Sequence, residues 1–383
     1  MRLENFLKYQ DEIIALRRDF HMHPELGFEE FRTSGIVRDY LGDLGIETVS
    51  MAKTGVVGYL NNGGEVTVGI RADMDALPIQ EENEVPYKSR VPGKMHACGH
   101  DAHTAMLLVT AKILSGMEFD GNVRFIFQPA EEGLNGAAKM VEEGAIEGVD
   151  RIIGMHVWVN LPSKSIGISP GPILAAVDRF KIKVLGKGGH GASPHETADP
   201  IVASAQIISS MQSVVSRNVD PVDTAVLTVG SIHGGSAFNV IPESVEMDGT
   251  VRTFKDGTQR LVERRIGEIC TNVARAYGCE ANLEYMHLNY ATVNEERMAE
   301  IGRQVASFTQ VLDQGINMGG EDFSEYARRI PGLFAYLGVR NEEKGITNPH
   351  HSPKFDIDES ALPYGVAFEV LMALELMKDR NIG

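Results

Sequence analysis

Leu3, Phe6, Leu7, Ile13, Ile14, Leu16 and Phe20 recur at helical spacing, which predicts that the chain opens with a helix. A second helix is predicted over 32–44 and stops at Gly45. The pattern then shortens. Apolar runs at 55–60 and 66–70 flank the turn-rich Asn61-Asn62-Gly63-Gly64 and read as strands. Polar Arg71-Ala72-Asp73-Met74-Asp75 follows the second run directly. Further on, the pattern predicts a helix over 102–114, a strand over 123–127 stopped by Pro129, a helix over 136–143, and a strand over 152–155 ending at His156. Strands alternating with helices predict an α/β layer fold around a parallel or mixed sheet.

The middle of the chain changes style. Residues 179–185 alternate as a strand, 200–216 is helical, 224–230 and 245–254 read as strands, 257–276 is helical, and 281–288 closes with a strand. This βαββαβ order is the ferredoxin-like α+β pattern. It predicts a domain inserted at 179–291 and leaves a discontinuous outer domain, 1–178 plus 292–383. After the insert, a helix over 295–312, a strand over 333–338 and a helix over 359–378 complete the outer domain.

A length of 383 residues fits two such domains. The 36 basic and 53 acidic residues give a net charge of −17, so neither nucleic acid nor an anionic membrane is expected as a partner. Three cysteines, Cys98, Cys270 and Cys279, are too few and too odd in number for a disulfide framework and predict a reduced, cytoplasmic protein. The N-terminal segment lacks the apolar core of a signal peptide, and no run of about 18 apolar residues predicts a membrane span.

The chemistry concentrates in a few stretches. Met95-His96-Ala97-Cys98-Gly99-His100-Asp101-Ala102-His103 packs three imidazoles, a thiol and a carboxylate into nine positions. A lone Cys or His would read as structural, but a Cys-x-His pair with two more histidines beside it points to zinc or a similar divalent ion. An extended backbone between Cys98 and His100 would let both face one ion. Gln128-Pro129-Ala130-Glu131-Glu132-Gly133 follows a buried strand, where open α/β sheets collect their functional residues. One of two adjacent glutamates there can bind an ion while the other holds a water beside it, the division of labour of metal-assisted hydrolysis. His156 ends a strand, and His351 sits in His350-His351-Ser352-Pro353 before the last helix. Cys98, His100, Glu132, His156 and His351 are five ligands of suitable type. That exceeds one tetrahedral zinc and predicts two ions with a shared ligand. Asp73 and Asp101 could orient a ligand imidazole. Gly186-x-Gly188-x-x-Gly191 fits a dinucleotide fingerprint on paper, but His190 sits inside it and no helix follows promptly. No Gly-x-Ser-x-Gly elbow occurs, against a serine hydrolase.

MHACGHDAHTAMLL, FQPAEEG, GMHV, GGHGASPH, NVIPESVEMDGTVRTF, GGEDFSEY and HHSPKF occur in this order over nearly the whole chain. Together they resemble the M20 metallopeptidase clan in its aminoacylase, hippurate hydrolase and auxin-conjugate hydrolase branch. The resemblance implies a mixed-sheet α/β metallopeptidase catalytic domain with an inserted ferredoxin-like lid and dimerisation domain. It implies two divalent ions per subunit, zinc or else manganese, cobalt or nickel, held by Cys98, His100, Glu132, His156 and His351. Cys98 stands where other branches use a bridging Asp; Arg71, standing at a ligand His of the clan, cannot bind metal, so the resemblance implies that His100 replaces that His while Asp73 keeps a supporting role. The same resemblance makes Glu131 the general base, His190 a lid residue that stabilises the oxyanion from a neighbouring subunit, and Asn239 and Arg252 substrate contacts. The implied activity is hydrolysis of N-acyl-L-amino acids by a homodimer or homotetramer. The rivals are a carboxypeptidase or dipeptidase on short peptides, an N-acetyl-diaminopimelate deacetylase and, remotely, a non-catalytic metal-bound binding protein.

Overall fold

The Thr67–Asp73 strand is buried along its whole length because it lies inside a sheet rather than at its rim. In the computed structural model, which describes residues 2–379 and residue 382, this strand runs parallel to Asn122–Gln128 on one side and to Arg151–Pro162 on the other. Gly332–Arg340 adds a further parallel strand beside Arg151–Pro162. The rim makes the eight-stranded sheet mixed. Gly55–Asn61 and then Glu47–Met51 join antiparallel at one side, and the short Ile166–Gly167 joins antiparallel at the other. Parallel strands buried on both faces read as continuous apolar runs, which is why 66–70 and 333–338 were so plain in the sequence.

Register then positions the chemistry. Arg71 lies opposite Gly154 and Asp73 opposite Gln128. Asp75 and the Glu131-Glu132 pair therefore leave the sheet at the carboxyl ends of neighbouring parallel strands, the usual place for a site in such a fold. The strand expected to end at His156 instead runs on to Pro162, so His156 sits within it, paired with Tyr336. The His100–Ser115 helix is buried nearly all round, so it belongs to the core rather than to an amphipathic surface layer. Leu362–Lys378 packs against it. With the preceding turn, residues Glu359–Lys378 are long and apolar enough to cross a membrane by length and composition, which corrects the expectation that no such segment exists. Its apolar length is used by packing, since most of it is buried inside the protein.

That helix also buries an acid. Thr110 Oγ1 donates to Glu369 Oε2 at 2.5 Å, yet burial pushes the Glu369 carboxyl up to about 8. In the unfolded chain an ordinary Glu ionises near pH 4.5. Between these values the folded state holds a proton that the unfolded state has lost, so stability from this group is full below about pH 4.5 and drains away as pH rises to about 8. Glu369→Gln should cancel that loss. Its melting temperature relative to wild type should climb between about pH 5 and about pH 9. A difference that stays flat across this range would refute the buried-acid account.

The predicted helix over 295–312 is shorter than expected. It spans Glu296–Val305, tightens through Ala306–Phe308, and gives way to the strand Val311–Leu312. The short strand Ile166–Gly167 captures it: Val311–Leu312 pairs with that strand as the sheet's edge, and Ile166 N–H donates to Gln310 O at 2.9 Å. Helical periodicity cannot see such an edge.

The chain divides into two units, Met1–Ile173 with Thr292–Ile316 and Asp322–Gly383, and Leu174–Ala291 with Asn317–Glu321. The second unit carries a four-stranded antiparallel sheet in the order Ala225–Gly234, Ser244–Thr253, Ala176–Leu185, Glu280–Asn289. In chain order this is 2-3-1-4, the ferredoxin-like arrangement. Phe180, Ile182, Val184, Val245, Met247 and Val251 share one core with Ile207 and Met211 of the helix Pro200–Ser213 and Val262 and Ile266 of the helix Asp256–Ala276. The predicted helix to residue 216 stops at Ser213, followed by a wider turn through Val214–Asn218.

Candidate metal centre

Gly99 sets the first pair of donors. It takes φ +99°, and a Cβ on it would stand 2.3 Å from Val157 Cγ2, so only glycine fits. The link between Cys98 and His100 is not extended but a left-handed turn that caps the His100–Ser115 helix, the unusual backbone that a glycine there permits. This turn still directs both side chains to one place. The donor atoms of Cys98, His100 and His156 lie within 4.8 Å of one another, and so do those of Cys98, Glu132 and His351. The two triads share Cys98. Glu131 joins His100 and Glu132 in a further group of the same size.

The hydrogen bonds fix which nitrogens are free. His156 Nδ1 lies 2.6 Å from the Val157 carbonyl, so Nδ1 carries the proton and Nε2, 3.3 Å from Cys98 Sγ, carries the lone pair. His100 Nδ1 lies 3.2 Å from Asp75 Oδ1, while its buried Nε2 has no hydrogen-bond partner. An imidazole held by a carboxylate at one nitrogen with the other left open is the arrangement of a metal ligand. His351 Nε2 lies 3.3 Å from Glu132 Oε1. The donor set, with one thiol, three imidazoles and a carboxylate, fits two divalent ions with one shared ligand. The third imidazole of the motif, His103, is satisfied at both nitrogens, by Asp73 Oδ1 at 2.6 Å and by the Val157 N–H at 2.9 Å.

Electrostatics agree with this picture. Burial first, and then the carboxylates of Glu132, Glu131 and Asp73, push the Cys98 thiol well above its ordinary range. Burial opposes a charge on His100, but Asp73 and Asp75 push it up to about 10. Burial, reinforced by His103 and His350, holds His156 well below its usual range and so neutral. The site as a whole is short of positive charge, which a pair of cations would supply.

Sequence reasoning passed over Asp75. Its Oδ1 lies within hydrogen-bond distance of His100 Nδ1, and its two oxygens also receive the backbone N–H of Glu131 and of Glu132, each at 3.0 Å. Its spacing of two from Asp73 at a strand end was the available signal. Asp73 instead accepts from Arg71 at 2.8 Å and from His103, and stands 3.7 Å from His100 Nε2. Asp101, expected as a residue that could orient a ligand, orients none. Arg17 Nε donates to its Oδ2 at 2.8 Å, His21 Nδ1 lies 2.7 Å from the same oxygen, and Oδ1 receives the Ala102 N–H.

Three expected substrate residues lie in the second unit. His190 and Asn239 are exposed on a two-stranded pair, with His190 opposite Val240 and the Gly191 N–H donating to Asn239 O. The Ala192 N–H donates to His190 Nδ1 at 3.0 Å, so Nε2 carries the proton and is the ring's donor. Arg252 is half-buried, forms no ion pair among the described residues, and lines a cavity of about 320 Å³ with Asp178 and Thr250. It stands eight residues past Ser244 on one strand, roughly 27 Å at 3.4 Å per residue. Ser244 pairs with Leu185, five residues before His190, whereas Arg252 pairs with Val177, so the two-stranded pair that carries His190 follows the end of the four-stranded sheet opposite Arg252.

A family model for peptidase family M20/M25/M40 matches residues 69–375. The chain is 42% identical over 374 residues to the IAA-amino acid hydrolase ILR1-like 4 of Arabidopsis thaliana, covering 95% of this chain and 85% of that protein. It is 41% identical over 385 residues to thermostable carboxypeptidase 2 of Saccharolobus solfataricus, covering 98% of each. The crystal structure of the Bacillus subtilis YXEP protein, a dinuclear metal binding peptidase from the M20 family, superposes with a TM-score of 0.86 at 36% identity, over 97% of this chain and 99% of that one.

Proposed function

The chain belongs to peptidase family M20/M25/M40, and we propose that within it this metal-dependent hydrolase cleaves the amide bond of N-acyl-L-amino acids to release the amino acid. The two donor triads sharing Cys98, with Glu131 beside them, carry this reading. Bound there, two divalent ions would acidify a water and polarise the scissile carbonyl. The protein's own residues do the rest. Asp75 fixes the His100 ring and the Glu131-Glu132 backbone. Glu131 takes the proton of the attacking water and passes it to the leaving amine. His190 donates through Nε2 to the oxyanion, and Arg252 of one copy together with Asn239 of the other holds the substrate carboxylate. Asp73, tied to His103 and Arg71, keeps the floor of the site in place.

Similarity to an IAA-amino acid hydrolase favours an acyl group over a peptide, and similarity to a carboxypeptidase favours the second reading, cleavage of short peptides. Both need a grip on a free carboxylate, which the Arg252 guanidinium, without an ion-pair partner among the described residues, supports. The deciding measurement is amino-acid release from N-acetyl, N-benzoyl and N-indoleacetyl amino acids and from dipeptides, with metal-loaded and chelated protein side by side. Release from the acylated substrates that stops on chelation supports the amidohydrolase. Release from dipeptides alone selects the peptidase.

The second unit is proposed as the lid and dimerisation element. If His190 and Arg252 serve one substrate from opposite ends of this unit, they come from two copies of the chain. His190→Ala and Arg252→Ala should each be impaired alone. Co-expressed, they should recover roughly a quarter of wild-type activity, because half of random dimers are mixed and one site in two of those is native. Mixed dimers, verified by tagged purification, that recover nothing would exclude the shared site.

A further inference from the structure

Three consecutive backbone amides lead into the reacting end of the site, and each has a carboxylate oxygen to receive it. Asp75 takes the N–H groups of Glu131 and Glu132, and the Ala130 N–H donates to Glu30 Oε1 at 2.9 Å. Ala130 holds φ +55°, in the left-handed region that residues with a Cβ disfavour. Its carbonyl is held as well, accepting the Gly136 N–H at 3.0 Å. Glu30 is buried, its second oxygen accepts the Thr54 hydroxyl at 2.6 Å, and it sits at the start of the Phe31–Asp43 helix. It lies 100 residues before Ala130 in the chain and belongs to a stretch, His21 to Glu30, that the proposed chemistry does not otherwise use.

We propose that Glu30 is a positioning residue for hydrolysis: by holding the Ala130 amide it keeps that residue in its left-handed turn and so aims the Glu131 carboxylate. The inference rests on Glu131 being the base. A misplacement of about 1 Å at a reacting group can cost on the order of 100-fold in rate, so a distant anchor of this kind has a measurable effect. Burial pushes the Glu30 carboxyl up to about 7, and both of its protonation states can accept from Ala130. Glutamine keeps that acceptor, whereas leucine removes it.

The test compares Glu30→Leu, Glu30→Gln and Glu131→Gln with wild type, all reconstituted with zinc, on the best N-acyl amino acid of the panel. Bound zinc, melting temperature, kcat and KM are measured for each. Glu30→Leu should lose ~10- to 100-fold in kcat with KM and bound zinc unchanged, and Glu30→Gln should restore most of that loss. A purely structural role would lower the melting temperature and leave kcat per folded, zinc-loaded molecule alone. The inference is overturned if Glu30→Leu keeps kcat within about 2-fold, or if its kcat falls only in proportion to lost zinc. Should Glu30→Leu fail to fold, Thr54→Val releases the other carboxylate oxygen. It should lower kcat several-fold at constant KM, and an unchanged kcat overturns the inference. Full turnover in Glu131→Gln would instead remove the base assignment, whereas an inactive Glu131→Gln beside a fully active Glu30→Leu would remove only the role of Glu30.

Discussion

Glu131→Gln should lower kcat by ~10²- to 10⁴-fold, the usual worth of a positioned general base, with KM and metal content close to wild type. Glutamine keeps the shape of the side chain, and the Glu131 backbone N–H still has Asp75 Oδ1 as its acceptor at 3.0 Å. What it removes is the ability to accept a proton next to the two donor triads. The ligand atoms of His100 and Glu132 lie within 4.8 Å of the Glu131 carboxylate, so a water held at the centre is within reach of that carboxylate. Steady-state kinetics at matched metal stoichiometry decide the matter. A variant with bound metal and undiminished turnover would leave Glu131 without a catalytic role and would send the search for the base elsewhere in the site. The paired drop in kcat and kcat/KM distinguishes lost transition-state stabilisation from lost substrate binding.

Residues whose identity announces their chemistry were legible in the sequence. Cys98, His100, Glu132, His156 and His351 are ligand types by identity alone, and the fold brings their donor atoms together in two triads. The buried parallel strands were equally plain, as continuous apolar runs. Residues that act through the backbone were not legible. Asp75 and Glu30 work by receiving amide protons from residues 56 and 100 positions away. A buried carboxylate of this kind has no periodic signature and in a sequence looks like any other acid. Backbone conformation was hidden in the same way. The left-handed Ala130 carries no glycine to mark it and is held by a tertiary neighbour, Glu30, whereas Gly99 did signal an unusual backbone. The edge strand Val311–Leu312 shows the converse, a helical pattern overridden by the partner that a sheet edge offers.

Cys98→Ala should damage metal binding more than loss of any other single donor, because both triads contain Cys98 and each keeps only two donors without it. Removing a residue that merely supports a ligand typically costs 10- to 100-fold in affinity, so loss of the shared ligand should exceed ~100-fold and leave fewer than two ions bound after gel filtration. The pH dependence gives a second readout. Without cations, burial and the nearby Glu132, Glu131 and Asp73 carboxylates hold the thiol protonated, well above its usual range. Metal uptake must therefore release that proton, and affinity should rise with pH and fall as acid restores it. Cys98→Ala removes this proton from the balance, so the slope of log affinity against pH should decrease by about one relative to wild type. Cys98→Asp keeps an anionic shared donor that ionises in the ordinary carboxylate range. It should retain two ions with the shallower pH slope of the alanine variant. Two ions bound by Cys98→Ala with wild-type affinity and slope would show that the thiol is not a ligand, and the triads would then have to be completed by other donors.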